Sequence, residues 1–212
     1  MYRLRLLAGL TKSARSLVLT VACLIGIVAA FAGAGREIDN QVREQRYQHF
    51  PKQPSGQLVI VTIDTPSIKS LGAWPWPRSR HGDLITALDR AGAKRIAFDI
   101  IFDQPAADPK QDRLFATSLS HTKADVYFAS LLENFANGGE RHEALPNAAL
   151  LPYVHPVNIW VWSDADQFHR NVVLNSPVMG RILPLMAQPL GDTSFPDTDR
   201  MLIDWSYWPK NF

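Results

Sequence analysis

An uncharged apolar run near the amino terminus is the feature that most constrains how this chain can fold. Residues 16–34 are rich in Leu, Val, Ile and Ala and contain no charge. At about 1.5 Å per residue, a helix of this length reaches roughly across the ~30 Å hydrocarbon core of a bilayer. Four basic residues and no acid lie before the run, so the positive-inside bias predicts a cytoplasmic amino terminus and an exported body.

The same run has a second interpretation, which the residues leave open. Ala32-Gly-Ala34 has the small-x-small form of a signal-peptide cleavage site. We favour an uncleaved anchor because the apolar region of a signal peptide is usually shorter. Both interpretations export the rest of the chain.

A boundary between a stalk and a folded domain is expected near Pro51 and Pro54, where Ser55-Gly56 also interrupts any regular element. Before it, Ile38, Val42 and Gln45 recur at helical spacing among charges, as in a juxtamembrane helix. The predicted segments are a short cytoplasmic tail at 1–15, a transmembrane helix at 16–34, a stalk at 35–56 and an extracytoplasmic domain at 57–212.

Charge and cysteine content limit the classes of function. Four of the 22 basic residues lie in the first fifteen positions, which leaves 18 against 20 acidic residues in the body. A near-neutral body without clustered Lys and Arg argues against nucleic acid as a partner. Cys23 is the single cysteine and lies in the apolar run, so neither an intramolecular disulfide nor a thiol nucleophile is expected.

The first part of the body predicts a parallel sheet. Residues 58–63 and 96–102 are continuous apolar runs typical of strands buried on both faces. Between them, Leu84, Ile85 and Leu88 mark an amphipathic helix that starts near Ser79. Strand, helix and strand in this order indicate an α/β fold with a mostly parallel sheet, built from βαβ units with flanking helices.

The pattern of the later elements is weaker. Asp108-Pro109 supplies a helix cap and a first-turn proline. The remaining predicted elements are a third strand at 125–130, a long surface loop at 133–152, a hairpin from 157–162 and 171–174, a short helix at 181–188 and a last strand at 201–205.

Three acids and one arginine form the candidate site. Asp64 and Asp103 follow the two predicted strands, and Asp99 lies within the second one. The carboxyl ends of parallel strands meet at one crevice, so we expect these acids to converge there. An ionised carboxylate in so apolar a strand requires a partner, and Arg78 is the predicted counter-ion of Asp99. The alternative is a purely structural ion pair and a turn acid.

The loop Trp74-Pro-Trp-Pro-Arg78 precedes the first helix of the body. Prolines on both sides make the backbone stiff and extended, which suits either presentation of the rings to a ligand or closure of the end of the sheet. The six histidines show no metal-ligand spacing and are interpreted as solvated. One enzyme hypothesis remains, a metal-dependent periplasmic phosphohydrolase that uses Asp64, Asp99 and Asp103.

Several of these motifs together resemble the type-two CHASE domain, an extracytoplasmic sensory module of bacterial signalling proteins. The most specific are the Trp-Pro-Trp-Pro-Arg loop and the Phe-Asp-Ile-Ile-Phe-Asp sequence that ends at Asp103. The run that ends at Asp64, with Ser67, and the Asp108-Pro-Lys-Gln-Asp112 sequence add to the likeness. Asp164-Ala-Asp166 is similar to a later turn of the family, although Gln167 replaces its glycine; Leu183-Pro-Leu185 and Leu202-Ile-Asp-Trp205 are similar to its last helix and strand.

The resemblance implies a non-catalytic sensor in the bacterial inner membrane, with a periplasmic body and no cofactor. Family proteins carry further membrane helices and an output domain, so we expect this sequence to be a fragment of a receptor or to act through a separate partner. The expected partners are the membrane, through a single span, and an unidentified small-molecule or protein ligand, with a homodimer left open. The candidate ligand-binding residues are Asp64, Ser67, Trp74, Trp76, Arg78, Asp99 and Asp103.

Overall fold

The computed structural model of the chain describes residues 12–31, 34–53, 55–133, 142–161, 168–191 and 200–203. These fall into two compact units. The first contains the amino-terminal helices and the chain as far as Val59, and the second contains residues 60–203.

The amino-terminal unit contains two helices, α1 (Lys12–Phe31) and α2 (Ala34–His49). Within α1, residues 13–31 have a mean hydropathy of 2.2 and are long and apolar enough to cross a membrane. The helix α2 is rich in charge, and Arg43 pairs with Asp39 one turn earlier at 2.7 Å. One candidate membrane helix therefore lies where the apolar run predicts it.

The second unit mixes helices and short strands. In chain order its elements are α3 (Thr65–Leu71), α4 (Arg78–Arg90), β1 (Arg95–Ile101), α5 (Pro109–His121), β2 (Asp125–Glu133), β3 (His142–Ala144), a 3-10 turn (Leu151–Tyr153), β4 (His155–Asn158), β5 (Asn171–Val173), β6 (Asn175–Val178), β7 (Arg181–Pro184), α6 (Ala187–Leu190) and β8 (Arg200–Leu202).

The main sheet is built around β2. Strands β1 and β4 pair with its two edges in parallel, and β3 pairs antiparallel with its last three residues. Two small antiparallel pairs, β5 with β8 and β6 with β7, follow. The chain is therefore an α/β protein with three parallel strands at its centre.

The core lies between this sheet and the helices α4 and α5. Alternation along β1 turns Ile96 and Phe98 inward, where they meet Ile85 of α4 and Phe115 of α5. The two helices approach closely at Gly82, where an added Cβ would lie 2.6 Å from the Ser118 hydroxyl. This packing fixes the position of the carboxyl end of β1 relative to the amino end of α4.

Several predicted elements are confirmed. The strands at 96–102 and 125–130 correspond to β1 and β2, and the two amphipathic helices correspond to α4 and α5. Asp108 caps α5 as predicted, because its carboxylate accepts a hydrogen bond from the Lys110 amide at 2.9 Å.

The predicted strand at 58–63 is wrong for this structure. Its residues lie outside any strand, and Leu58, Val59 and Ile60 are 66, 78 and 73% exposed. An apolar, β-branched run predicts strand propensity, but a strand forms only where a second backbone supplies hydrogen bonds.

The predicted helix at 181–188 is also wrong. Residues 181–184 form β7, which pairs with β6 across a two-residue turn in which Met179 and Gly180 have φ values of 46° and 74°. Two central residues with positive φ are typical of a tight hairpin turn, and Pro184 disfavours a helix interior.

Residues 142–161 contain more regular structure than predicted. The expected surface loop contains β3 and the fully buried Leu150. In the described part of the expected hairpin, one antiparallel bridge joins Val161 and Val172, since β4 pairs with β2 instead. The Asp164-Ala-Asp166 turn lies outside the described residues.

Candidate functional site

The short helix α3 uses two of the predicted site residues for its own start. The Asp64 carboxylate accepts hydrogen bonds from the Ser67 amide at 2.9 Å and from the Ser67 hydroxyl at 2.6 Å. These bonds, the hydroxyl bond first, lower the pKa of Asp64. Asp64 and Ser67 therefore form a helix cap, and their part in ligand binding stays a prediction.

The Trp74-Pro-Trp-Pro loop is anchored by a hydrogen bond from Trp76 and leaves Trp74 partly exposed. The Trp76 indole N–H donates to the Gly72 carbonyl at 2.8 Å, and Gly72 takes a φ of 99° that favours glycine. The Trp74 ring packs edge-on against Trp76 at 5.6 Å and against His81 at 5.8 Å. Trp74 nevertheless remains 42% exposed. The Trp74–Pro75 peptide is cis.

Arg78, the first residue of α4, connects three elements. Its guanidinium lies 4.3 Å from the centre of the Phe102 ring, donates to the Gln104 carbonyl at 3.1 Å, and places Nε 3.6 Å from Asp112 of α5. Burial lowers the pKa of Arg78, and the charges of Asp112 and Asp103 oppose that shift. Arg78 is thus a fixed, half-buried cation.

The predicted ion pair between Asp99 and Arg78 is wrong. Asp99 is exposed on β1, and its side chain makes no hydrogen bond or ion pair with the part of the chain that the structure describes. The reason is alternation: Ile96 and Phe98 face the helices, so Asp99 faces the opposite side of the sheet. The expectation of a buried carboxylate assumed that both faces of β1 are covered.

Asp112 is the residue that pairs with Arg78, and sequence reasoning gave it no role in the site. It is 5% exposed, and its Oδ2 accepts from the Ala106 amide at 2.8 Å while Oδ1 has no hydrogen-bond partner. A usable signal existed in the sequence: Asp112 lies three and seven residues before Phe115 and Leu119, on the apolar face of α5.

Asp103 is the last residue of the candidate site and lies just beyond the carboxyl end of β1. Its two carboxylate oxygens accept from the amide and the side chain of Gln104, at 2.8 and 3.0 Å. Gln104 is also the residue whose carbonyl receives Arg78. Arg78, Asp103 and Asp112 are therefore brought together, as the crevice prediction expects for Arg78 and Asp103. Asp64 instead caps α3, and Asp99 is exposed on the opposite face of the sheet.

His81 is the second residue that the sequence interpretation missed. It is 2% exposed, and its ring lies 5.3 Å from that of Phe102 and 6.0 Å from that of Phe115. Burial, with a smaller contribution from the charge of Arg78, lowers its pKa from 6.5 to about 4. His81 is neutral at pH 7, so the prediction of a solvated histidine is wrong at this position.

The alternative of a metal-dependent hydrolase finds no support in this geometry. Asp64 caps a helix, Asp99 is exposed and Asp103 binds Gln104. Among the residues that the structure describes, no group of three or more His, Cys, Asp and Glu side chains is close enough to hold a metal ion.

Comparison with known families identifies the domain. The sequence profile of the CHASE2 domain matches residues 19–204, which is most of the chain. Neither the curated proteins nor the solved structures contain a significant match. CHASE2 domains are extracytoplasmic sensory domains of signalling proteins and are generally non-catalytic. With the Trp-Pro-Trp-Pro-Arg loop and the β1 sequence in place, the chain belongs to the CHASE2 domain family.

Proposed function

We propose that this chain is the membrane-anchored sensory part of a bacterial signalling protein, with its amino terminus in the cytoplasm and its body in the periplasm. The observation that carries the proposal is a membrane-length apolar helix at 13–31 in a chain that matches an extracytoplasmic sensory family. The four basic residues among the first fifteen positions, which include no acid, support the orientation.

The Trp74-Pro-Trp-Pro loop is the proposed ligand contact, and Trp74 is its exposed element. A large aromatic side chain offers much contact area at a low cost in conformational entropy. Trp74 is already positioned by the rings of Trp76 and His81, so binding need not order it. The Arg78 and Asp112 pair beneath the loop serves to hold this arrangement.

In this proposal the domain binds a ligand and catalyses no reaction. Arg78 is occupied by Phe102, Gln104 and Asp112, and His81 is buried among aromatic rings. Signalling then requires only that a ligand binds one conformation of the domain more tightly than another.

A thermal-shift screen tests the ligand contact. The full chain in lipid nanodiscs is mixed with a panel of amino acids, sugars and aromatic carboxylates, and Tm is followed by fluorescence. We expect a compound that raises Tm in the native chain and in Tyr153→Ala, but not in Trp74→Ala. Tyr153 is a matched control because it is a similarly exposed aromatic residue, at 46%. A compound that raises Tm equally in all three proteins would contradict the role of Trp74.

A further inference from the structure

The first turn of α4 has no side-chain cap of its own. The helix follows directly on Pro77, which makes no side-chain hydrogen bond to the helix. The first amides of a helix have no acceptor within the helix and need one from elsewhere. The Arg80 amide donates to the Pro77 carbonyl at 3.0 Å, whereas the Ser79 amide has no acceptor in α4. The Ser79 amide therefore depends on another element of the fold.

Gln111 of α5 supplies the missing acceptor. Its side-chain oxygen Oε1 accepts a hydrogen bond from the Ser79 amide at 3.1 Å, between two half-buried residues. The start of α5 is itself well fixed, because the Gln111 amide donates to the carbonyl of Asp108 at 2.9 Å and Asp108 caps the helix. A side chain in the first turn of α5 thus caps α4.

This contact lies beside the pair of Arg78 and Asp112. Two consecutive residues of α5, Gln111 and Asp112, thereby hold two consecutive residues of α4, Ser79 and Arg78. The ion pair constrains a side chain of α4, whereas the bond from Gln111 constrains its backbone. Both contacts fix the same turn of α4.

The first turn of α4 supports the Trp74-Pro-Trp-Pro loop. His81 lies two residues after Ser79, and its ring packs 5.8 Å from that of Trp74 and 6.4 Å from that of Trp76. The loop also continues directly into this turn through Pro77. A shift of the turn would therefore move both the end of the loop and the ring on which its tryptophans pack.

We propose that Gln111 is a positioning residue of the Trp74 loop, which acts by capping α4 from α5. The bond to the Ser79 amide keeps the first turn of α4, and with it Arg78 and His81, in place beneath the two tryptophans. Any effect on ligand binding rests on the proposed sensory function, whereas the cap and the order of the loop do not.

Two substitutions of Gln111 separate its acceptor from its size. Gln111→Met keeps a side chain of similar length and removes the acceptor. Gln111→Glu keeps an acceptor, and its negative charge is favourable at the amino end of a helix.

Hydrogen exchange is measured by NMR on the full chain in nanodiscs, with ¹⁵N-labelled serine and tryptophan. We expect Gln111→Met to speed exchange of the Ser79 amide and of the Trp76 indole N–H, which donates to Gly72, by at least about fivefold. Gln111→Glu should exchange both groups no faster than the native chain does. Native exchange rates in Gln111→Met, or equal acceleration in Gln111→Glu, would overturn the proposal.

Val172→Ala is the control for a general loss of stability. Val172 lies in a separate apolar cluster with Leu174 and Leu185, so this change should lower Tm without altering exchange at Ser79 or Trp76. Equal acceleration in Val172→Ala would overturn the proposal, because exchange would then follow global unfolding. Acceleration at Ser79 alone would overturn it too, because the cap would then not position the loop. No ligand is present, so the result is independent of the thermal-shift screen.

Discussion

His81 shows how a single residue can tie the stability of this domain to pH. A histidine enclosed by aromatic rings cannot easily accept a proton, because the surroundings offer little compensation for the lost hydration of the charge. Within the described residues its ring nitrogens have no hydrogen-bond partner, and Arg78 nearby disfavours a second positive charge. The neutral ring is therefore part of the core.

The pH dependence of unfolding tests this interpretation of His81. Below pH 6.5 the unfolded chain binds a proton at this residue, while the folded chain excludes it until about pH 4. We therefore expect the free energy of unfolding to fall by about 3 kcal/mol as the pH decreases through that window. Denaturant titrations should show that His81→Phe removes this part of the slope, while substitution of the exposed His121 by Gln retains it. An unchanged slope in His81→Phe would contradict the assignment.

Arg78 is expected to contribute to stability through three contacts at once. Its replacement by Ala removes the stacking on Phe102 and the bond to Gln104, and leaves the buried Asp112 carboxylate without a counter-ion. We expect Arg78→Ala to lower the free energy of unfolding by roughly 2 to 3 kcal/mol.

Asp112→Asn in the same background should recover part of the loss that Arg78→Ala causes, because an amide is less costly to bury without a counter-ion than a carboxylate. Chemical denaturation measures both effects. Arg80→Ala, at an exposed position of α4, is the control and should change the free energy by no more than about 0.5 kcal/mol. Equal losses for Arg78→Ala and Arg80→Ala would show that the Arg78 contacts contribute little.

At the scale of elements, the close approach of α4 and α5 fixes the base of the Trp74 loop. Gly82 lets the two helices meet, and an added Cβ would also lie 3.0 Å from the Cβ of Ser118. We expect Gly82→Val to lower the free energy of unfolding by about 2 kcal/mol, since the backbones must separate. Asp83→Val on the exposed side of the same helix is the control for β-branching. Thermal unfolding of both variants gives the comparison, and equal Tm values would argue against tight packing at Gly82.

Elements with both an apolar period and an end signal could be predicted from the sequence, and those that depend on a partner could not. The helix α5 has an apolar face and the Asp108-Pro109 start, so its position follows directly. The run at 58–63 has a strand composition but no partner in this structure. The sequence does not indicate the strand β7, because its pairing depends on a turn at Met179 and Gly180 that lacks the usual Asn-Gly or Asp-Gly sequence.

The candidate site was predictable as a region and not as a set of contacts. The Trp74 loop and Arg78 do lie at the carboxyl end of β1, beside Asp103. The sequence predicts the wrong partner for Arg78, because it does not show that one face of β1 stays open at Asp99. His81 was missed because the histidines are predicted to be solvated, and Asp112 because the sequence does not show that its side chain is buried beside Arg78.

At the scale of the whole molecule, the central claim is that one helix anchors an exported sensory domain. The length and hydropathy of the helix at 13–31 support this claim, and so does the CHASE2 match, which begins within that helix at residue 19. A cleaved signal peptide would also export the body but would release it from the membrane.

A fusion of alkaline phosphatase, which is active only outside the cytoplasm, to Phe212 tests the claim most directly when its activity is measured in washed membranes. We expect high phosphatase activity that remains with the membranes after a carbonate wash and that disappears when residues 16–34 are deleted. An inactive fusion would contradict the exported orientation, and activity found wholly in the soluble periplasmic fraction would contradict the anchor.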